Sequence, residues 1–260
     1  MAQTSTAPAS SANSCNDCHG FGGIWTDIDD MGLVYFKQYC ACELGQQMKR
    51  AYQRGREDKI RLLRQAEIST LFGEARIPSH FAAYTFETYP RRGAQIALDR
   101  SRDYAKSDSR RGLVLLGGYG TGKTGLAVCI LREKIEQGMS SLFVQVPDLL
   151  DRIRAAYGRE DRGAQDVLEQ ARKVDFLVLD DFGTEKRTPW VNEKLYQIIG
   201  YRHDWKLPTV ITTDRSLDQL RGDANLSGER QADRVVWRIV EMCDVVEVAG
   251  PNLRDQTEGS

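Results

Sequence analysis

A glycine-rich segment between a predicted strand and a predicted helix limits what this chain can fold into more than any other stretch. Four apolar residues, 113–116, precede the pattern Gly-x-x-x-x-Gly-Lys-Thr, and apolar residues then recur at helical spacing. The glycines let successive backbone amides point inward, and the helix adds the positive end of its dipole. The pattern predicts a loop that binds a polyphosphate. The expected ligands are Gly117, Gly118, Tyr119, Gly120, Thr121, Gly122, Lys123, Thr124 and Gly125.

A second apolar strand ends in two carboxylates, Asp180 and Asp181. A strand buried on both faces excludes ions from its middle, so its charges collect at the carboxyl end, beside the phosphate loop. The Thr124 hydroxyl is predicted to ligate magnesium, and Asp180 to hold the metal through its water shell. Asp181 is predicted to orient or deprotonate the attacking water. With Lys123 on the outer phosphates, these residues predict a magnesium-dependent ATPase whose cofactors are ATP and Mg²⁺. The alternative for the carboxylates is an ordinary solvated strand end.

The pattern around these motifs predicts the fold class. Apolar strands alternate with amphipathic helices from residue 111 onward, which is typical of an α/β fold, a parallel sheet flanked by helices. The strands are predicted at 113–116, 141–146, 176–180, 208–213 and 245–248, and the later helices at 147–157, 164–172, 189–205 and 229–242. Thr188 is predicted to cap the third of these helices, with Pro189 in its first turn.

Length and charge set outer limits. The 260 residues suffice for one sizeable domain and a small module. The 36 basic and 37 acidic residues nearly balance, so a nucleic-acid contact must come from local patches. No apolar run reaches membrane-spanning length, and residues 1–14 form a polar stretch without a signal-peptide core. We therefore expect a cytoplasmic protein without a membrane partner, beginning with a disordered tail at 1–14.

Four of the six cysteines form two close pairs, which predicts a small metal-binding module at 15–44. The expected ligands of a structural zinc ion are Cys15, Cys18, Cys40 and Cys42. The residues between the pairs predict a short hairpin that zinc would stabilise. Free or buried thiols are the alternative, and His19 could replace one cysteine. Cys129 and Cys243 lie among apolar neighbours and are predicted to be core thiols.

Three further segments each admit two interpretations. Residues 45–75 predict a charged linker helix, either solvated or binding a partner or DNA. The aromatic segment 76–90 is suited to covering an adenine ring or to sealing the core. On the last predicted helix, arginines at i, i+4 and i+8 lie along one face, where they could meet a neighbouring subunit's phosphate or form surface salt bridges. These are Arg230, Arg234 and Arg238.

The order and spacing of these motifs resemble the AAA+ helicase-loader family of DnaC and DnaI, with its relative, the transposition ATPase IstB. The matching segments are 118–124, 176–183, 211–214, 228–234 and 251–254. The resemblance covers about residues 76–260 and implies an AAA+ ATPase domain there, and family members often carry an N-terminal zinc module.

The resemblance also implies roles for single residues. Arg234 resembles the arginine finger that completes the ATP site of an adjacent protomer, and Arg254 the second sensor, which touches the nucleotide in cis. Asp214 occupies the first-sensor position, where the pattern usually has Asn, and Thr213 is expected to contact the nucleotide in its place. Contacts with single-stranded DNA in the family come from a central pore, whose counterparts here are Tyr157, Arg187, Thr188 and Trp190. Aromatic side chains there suit stacking on any base, although they could equally be packing residues.

The function that the resemblance implies is ATP-dependent loading of a replicative DnaB-type helicase onto single-stranded DNA, in replication initiation. The zinc module would hold the helicase, and ATP-bound copies would form a homo-oligomeric spiral or ring. Two alternatives stay open. One is an IstB-like helper ATPase that serves a transposase, and the other is a nucleotide-gated adaptor that hydrolyses little ATP.

Overall fold

The computed structural model describes residues 15–17, 19, 21–90, 94–156, 163–226 and 230–252. Its chain forms two compact units, with the first ending at Glu67 and the second beginning at Ile68. This division falls within one helix, α1 (Glu43–Glu74), which covers nearly the range predicted for the charged linker helix. The predicted tail at 1–14 lies outside the described residues.

The first unit contains a hairpin followed by most of α1. Strands β1 (Gly23–Ile28) and β2 (Val34–Tyr39) pair antiparallel, which confirms the predicted hairpin. Asp29 organises its turn: Oδ1 accepts hydrogen bonds from the amides of Met31 and Leu33, at 2.9 and 2.8 Å. Its Oδ2 accepts one from the Tyr52 hydroxyl of α1 at 2.8 Å. One carboxylate thus fastens the turn to the helix.

The second unit is built on a five-stranded sheet whose paired strands are all parallel. The strands are β3 (Gly112–Leu116), β4 (Ser141–Gln145), β5 (Phe176–Asp180), β6 (Thr209–Thr213) and β7 (Cys243–Glu247). Their order in the sheet is β4-β5-β6-β3-β7. Each lies within about two residues of a predicted strand, and the predicted α/β class is confirmed. Because strand order reverses next to β3, the carboxyl ends of β3, β5 and β6 meet at one edge, where α/β proteins bind ligands.

Helices cover both faces of this sheet. They are α2 (Gln95–Lys106), α3 (Lys123–Glu136), α4 (Val146–Ala156), α5 (Gly163–Lys173), α6 (Pro189–Asp204), α7 (Leu217–Leu226) and α8 (Arg230–Met242). Alternate strand residues pack into two apolar clusters, one with α2 and α3 and the other with α4 to α8. Cys129 and Cys243 are buried in these clusters, and burial raises the pKa of each thiol to about 12. The prediction of core thiols is confirmed.

Two helices, α2 and α7, were not predicted from the sequence. The buried face of α2 consists mainly of small residues, such as Ala97, Ser101 and Ala105, so it gives a weak apolar period. Helix α7 begins with a recognisable signal, Ser216-x-x-Gln219. The Gln219 amide donates to Ser216 Oγ and the Ser216 amide donates to Gln219 Oε1, which is a capping box. In the described part of the chain, the helices are too short or too polar to cross a lipid bilayer.

A fully buried arginine holds the helical layer to the sheet. Arg202 of α6 donates from Nε to Thr209 Oγ1 at 2.8 Å, and from Nη2 to the Pro208 carbonyl at 2.8 Å. Its Nη1 reaches three carbonyls near the end of α5, those of Ala171, Arg172 and Val174. Burial lowers the pKa of Arg202 to about 9. The start of β6 is thereby fixed against α5 and α6.

Candidate nucleotide-binding site

The glycine-rich segment forms a tight loop between β3 and α3, as predicted. Gly120 and Gly122 have φ angles of +74° and +96°, which other residues rarely adopt. Lys123 is only 8% exposed, and its Nζ donates to the Gly118 carbonyl at 2.8 Å. The Thr121 hydroxyl donates to the same carbonyl at 3.0 Å. The loop therefore keeps its one ammonium group within the turn, at the start of a helix, where anions are favoured.

Asp180 lies beside this loop, at the end of β5, and is 1% exposed. Its Oδ1 accepts hydrogen bonds from the hydroxyls of Thr124, at 2.9 Å, and Thr212, at 2.6 Å. Its Oδ2 is buried and has no hydrogen-bond partner within the described residues. Burial raises the pKa of Asp180, and the nearby Asp181 carboxylate adds to this. The hydroxyls of Thr212 and Thr124 and the side chain of Gln145 act against it. An unpartnered carboxylate oxygen beside a hydroxyl is a suitable ligand set for Mg²⁺, so the predicted pair fits the metal.

Asp181, the next residue, is exposed and has a φ of +56°. Its amide donates to Thr212 Oγ1 at 3.0 Å, and its carbonyl accepts from the Thr184 hydroxyl at 2.8 Å. The structure thus separates the two carboxylates by environment, with Asp180 buried and Asp181 in contact with water. Sequence reasoning missed Thr212, which contacts both residues.

Thr213 ends β6 next to the phosphate loop and is buried. Its carbonyl accepts from the Gly117 amide at 3.2 Å, and its hydroxyl accepts from the Arg215 amide at 3.2 Å. Asp214 is exposed. Thr213 therefore supports the first glycine of the loop, while its contact with a nucleotide stays a prediction.

The aromatic segment before α2 packs on the start of α3. The Tyr89 hydroxyl donates to the Gly122 carbonyl at 3.3 Å. A Cβ atom at Gly125 would lie 3.1 Å from the Tyr84 ring and 3.2 Å from the Tyr89 ring. Gly125 therefore lets these two rings approach the helix, and the segment seals the core, one of the two predicted roles.

A residue after β7 lies against the loop and was not predicted to belong to the site. A Cβ atom at Gly120 would collide with the side chain of Asn252. Asn252 belongs to a segment that the resemblance had selected only for Arg254, which lies outside the described residues.

The residues predicted to contact DNA differ in what the structure shows of them. Thr188 caps α6, since its Oγ1 accepts from the Val191 amide at 3.2 Å, which confirms the predicted cap. Trp190 is half-buried, and the Arg154 guanidinium lies 4.8 Å from its ring centroid. Tyr157 lies outside the described residues.

Arg187 has an internal role instead. Its Nε lies 3.2 Å from Glu185 Oε1, and the two side chains are 10% and 3% exposed. The guanidinium also lies over the Phe182 ring, at 5.4 Å. This buried ion pair argues against a DNA contact by Arg187, because the guanidinium is already covered.

The arginines of α8 are not equivalent. Arg234 is exposed, whereas Arg238 Nη2 donates to the Tyr196 hydroxyl of α6 at 3.2 Å. The side chain of Arg230 lies outside the described residues. Of the arginine side chains described on this helix, Arg234 is thus the one presented to solvent.

Three of the predicted zinc ligands converge in the first unit. The Sγ atoms of Cys15, Cys40 and Cys42 lie within 4.8 Å of one another, with Cys15 and Cys40 at 3.5 Å. Thiolates around tetrahedral zinc lie about 3.8 Å apart, given Zn–S bonds of about 2.3 Å. The Gly45 amide donates to Cys42 Sγ at 3.4 Å, and a hydrogen bond of this kind orients a thiolate that holds a metal. The three thiols fit zinc, and Cys18 lies outside the described residues.

Together, the parallel sheet, the phosphate loop and the acidic end of β5 define a P-loop protein of the AAA+ class. The family model for IstB-like ATP binding proteins matches residues 53–260. This chain belongs to that family.

Curated relatives include proteins of replication and of transposition. The replicative helicase loader DnaI of Bacillus subtilis is 28% identical over 166 residues, 62% of this chain and 53% of DnaI. The loader DnaC of Escherichia coli K12 is 27% identical over 145 residues, 55% of this chain and 58% of DnaC. A putative ATP-binding protein of insertion sequence IS1162 from Pseudomonas fluorescens is 36% identical over 107 residues, 41% of this chain and 45% of that protein. The chain spans about half the length of these relatives.

Solved structures support the same class. The crystal structure of the DnaC helicase loader superposes with a TM-score of 0.56 and 28% identity, covering 66% of this chain and all of that one. The crystal structure of DnaI superposes with a TM-score of 0.58 and 26% identity, covering 68% of this chain and 94% of that one. The predicted AAA+ fold is confirmed.

Proposed function

We propose that this chain is an ATP-dependent loader that places a replicative DNA helicase of the DnaB type on single-stranded DNA. The observation that carries the proposal is the edge of the sheet where Lys123, Thr124 and Asp180 lie together. An ammonium group within a glycine loop and a buried carboxylate bonded to a threonine hydroxyl suit a triphosphate with its metal.

Each residue has a distinct task in this proposal. The loop amides would bind the phosphates. Lys123 would release its hydrogen bond to the Gly118 carbonyl and bind the outer phosphates instead. Thr124 and Asp180 would hold magnesium, which when bound would supply positive charge beside the phosphates. Asp181, exposed at the same edge, orients the attacking water, and Arg234 reaches the site of an adjacent copy. Hydrolysis would then depend on assembly.

Similarity to the loaders DnaI and DnaC supports a helicase as the partner. The first unit, with its hairpin and a zinc ion on the clustered thiols, would hold the helicase. Copies bound to ATP would assemble into a spiral or ring around single-stranded DNA, with Thr188, Trp190 and Tyr157 facing the strand. Such a protein would work in the cytoplasm, where DNA and ATP are present.

The loading test uses the full chain, purified hexameric helicase from the same organism and circular single-stranded DNA. With ATP, we expect the chain to co-elute with the helicase and to increase helicase retained on DNA, while Lys123→Ala fails in the second step. Failure of the wild-type chain to bind the helicase would refute the loader proposal. A turnover assay with single-stranded DNA excludes the nucleotide-gated adaptor if ATP is hydrolysed.

A second candidate is a helper ATPase of a transposase. It is favoured by the IstB-like family model and by the 36% identity to the IS1162 protein. Parallel capture with a purified helicase and with an IS21-type transposase decides between the two, since a loader retains the first and a transposition helper the second.

The zinc proposal is tested by metal analysis of the purified full chain. We expect about one zinc ion per chain, and a loss of zinc in Cys40→Ser with little effect on ATP binding, because the thiols and the phosphate loop belong to separate units. The matched control is Cys129→Ser, a core thiol, which should keep its zinc. Zinc-free wild-type protein that retains helicase binding would contradict the proposed role.

A further inference from the structure

Strand β6 carries three threonines, Thr209, Thr212 and Thr213, and all five of its residues are buried. A buried hydroxyl must find hydrogen-bond partners, a demand that valine, of nearly the same shape, does not make. The hydroxyl of Thr209 accepts from Arg202, and that of Thr213 accepts from the Arg215 amide. The hydroxyl of Thr212 instead serves the acidic end of the neighbouring strand.

Thr212 makes two side-chain hydrogen bonds of opposite direction. Its Oγ1 donates to Asp180 Oδ1 at 2.6 Å and accepts from the Asp181 amide at 3.0 Å. One hydrogen and the lone pairs of a hydroxyl allow this combination. The Thr212 carbonyl also accepts from the Phe182 amide at 2.9 Å. A single residue of β6 therefore contacts both acidic residues and the turn after them.

These bonds determine how Asp180 is presented. Thr212 and Thr124 both donate to Oδ1, so the carboxylate is fixed in rotation and Oδ2 remains without a hydrogen-bond partner among the described residues. Both donors also favour the ionised carboxylate in a place where burial disfavours it. Oδ2 is therefore the oxygen of Asp180 that is able to bind a cation.

The same hydroxyl supports Asp181. A φ of +56° is uncommon outside glycine, and it costs energy that surrounding contacts must offset. The bond from the Asp181 amide to Thr212 stabilises this bend, which turns the chain at the end of β5 and leaves the Asp181 side chain exposed.

We propose that Thr212 is a positioning residue of the nucleotide site, whose hydroxyl orients the Asp180 carboxylate for magnesium and holds the bend that carries Asp181. This inference rests on the proposed function, because it assumes that ATP and magnesium bind at this edge. Residues that orient metal ligands contribute about 10–100-fold to metal affinity.

The test compares Thr212→Val, which removes both bonds at nearly constant volume, with Thr212→Ser, which keeps the hydroxyl. Mn²⁺ serves as the probe of the magnesium site. EPR of free Mn²⁺ measures its affinity for the chain in complex with a non-hydrolysable ATP analogue, after subtraction of the Mn²⁺ that the free analogue binds in a titration without protein. Nucleotide affinity in EDTA is measured by fluorescence titration. We expect Thr212→Val to lose about 10–100-fold in Mn²⁺ affinity, with nucleotide affinity in EDTA within about 2-fold of the wild type. Thr212→Ser should recover most of the Mn²⁺ affinity.

Two results would overturn the inference: a Thr212→Val variant with wild-type Mn²⁺ affinity, or a Thr212→Ser variant impaired as much as Thr212→Val. If Thr212→Val does not fold, Thr212→Ala removes the same hydroxyl without a methyl group against the carboxylate, and the same comparison with serine decides. Failure of the wild-type chain to take up nucleotide would refute the proposed function itself, independently of Thr212.

Discussion

Asp180 illustrates at the scale of one residue how a buried carboxylate, proposed here to hold magnesium, lowers the stability of the metal-free protein. The carboxylate is buried, one oxygen has no hydrogen-bond partner within the described residues, and burial raises its pKa. An acid with a raised pKa contributes stability below its unfolded pKa and loses it as pH rises through the folded value. As pH rises, the metal-free protein therefore loses stability through this carboxyl group.

We expect Asp180→Asn to raise the thermal midpoint of the metal-free, nucleotide-free chain, because it removes a charge that burial disfavours. Each kcal/mol gained corresponds to about 2–4 °C in a domain of this size. The gain should be larger at pH 7 than at a pH well below the ordinary aspartate pKa of about 3.9, where the carboxyl group is protonated in both the folded and the unfolded state. Calorimetry at two pH values measures this, with exposed Asp99→Asn as the control. Asp180→Asn should also lose Mn²⁺ uptake. A midpoint below that of the wild type at pH 7 would contradict the expected stabilisation.

Gly120 carries a second expectation at this scale. Alanine there would adopt a φ of +74° and place its Cβ on the Asn252 side chain. We expect Gly120→Ala to weaken ATP binding about 10-fold, the effect of roughly 1.4 kcal/mol of strain in the loop. Fluorescence titration measures it, and Gly55→Ala, at a position with open space around it, is the control.

A double variant separates the two causes of that loss. Gly120→Ala with Asn252→Ala removes the collision but not the left-handed backbone, so part of the affinity should return. Wild-type affinity in Gly120→Ala alone would show that the loop tolerates a side chain there.

Residue types and spacing predicted the tight glycine loop and the acidic end of β5, because both depend on the local pattern. Thr212 and Asn252 escaped prediction for a physical reason. A threonine in a strand satisfies β-propensity without further cause, and the partner of its hydroxyl depends on strand register, which only the folded sheet fixes. Arg187 shows the converse, since the family resemblance suggested a DNA contact, whereas its neighbour Glu185 gives it an internal partner.

At the scale of elements, β strands were predictable and some helices were not. The strands are continuous apolar runs ended by turns, which is the pattern that burial on both faces requires. Helix α2 buries mostly alanine and serine, so its apolar face is faint in the sequence, whereas the capping box of α7 could have revealed that helix. The burial of Arg202 could not be predicted from the sequence, because an arginine on a helix is normally exposed to solvent.

Arg202 should be essential for the packing of α5, α6 and β6. Arg202→Met keeps the volume but leaves the carbonyls of Val174 and Pro208 without this donor. We expect a loss of about 2–4 kcal/mol in the free energy of unfolding, the usual result of unpairing buried polar groups. Denaturant titration measures it, and the exposed Arg100→Met should change stability by less than about 0.5 kcal/mol. Arg202 contacts Thr209 at the start of β6, whereas the phosphate loop contacts Thr213 at its end. ATP affinity at denaturant concentrations well below the unfolding midpoint should therefore persist, and a loss of ATP affinity would contradict a purely structural role.

At the scale of the whole molecule, the sequence predicted a cysteine module, a helix and an ATPase domain, and the structure divides the chain at 67/68, inside α1. The last turns of α1 belong with the second unit, since Ile68 and Leu71 pack against its core. Continuous helical periodicity gives no sign of such a division, because helix formation is local and the packing that separates units is not.

The proposed assembly makes one prediction that no single copy can satisfy. Arg234 is exposed on α8, as an arginine finger must be. Because a finger completes the ATP site of another copy, the role requires two copies in head-to-tail contact. Lys123→Ala should abolish turnover, and Arg234→Ala should bind ATP yet lose about 10³-fold or more in turnover.

An equimolar mixture of Lys123→Ala and Arg234→Ala should recover about one quarter of wild-type turnover, because random head-to-tail contact places an intact loop beside an intact finger in about one interface of four. Replacing Lys123→Ala in the mixture by the double variant, which supplies neither group, should abolish this recovery. A mixture no more active than Arg234→Ala alone, or wild-type turnover by assembled Arg234→Ala, would show that the arginine acts elsewhere.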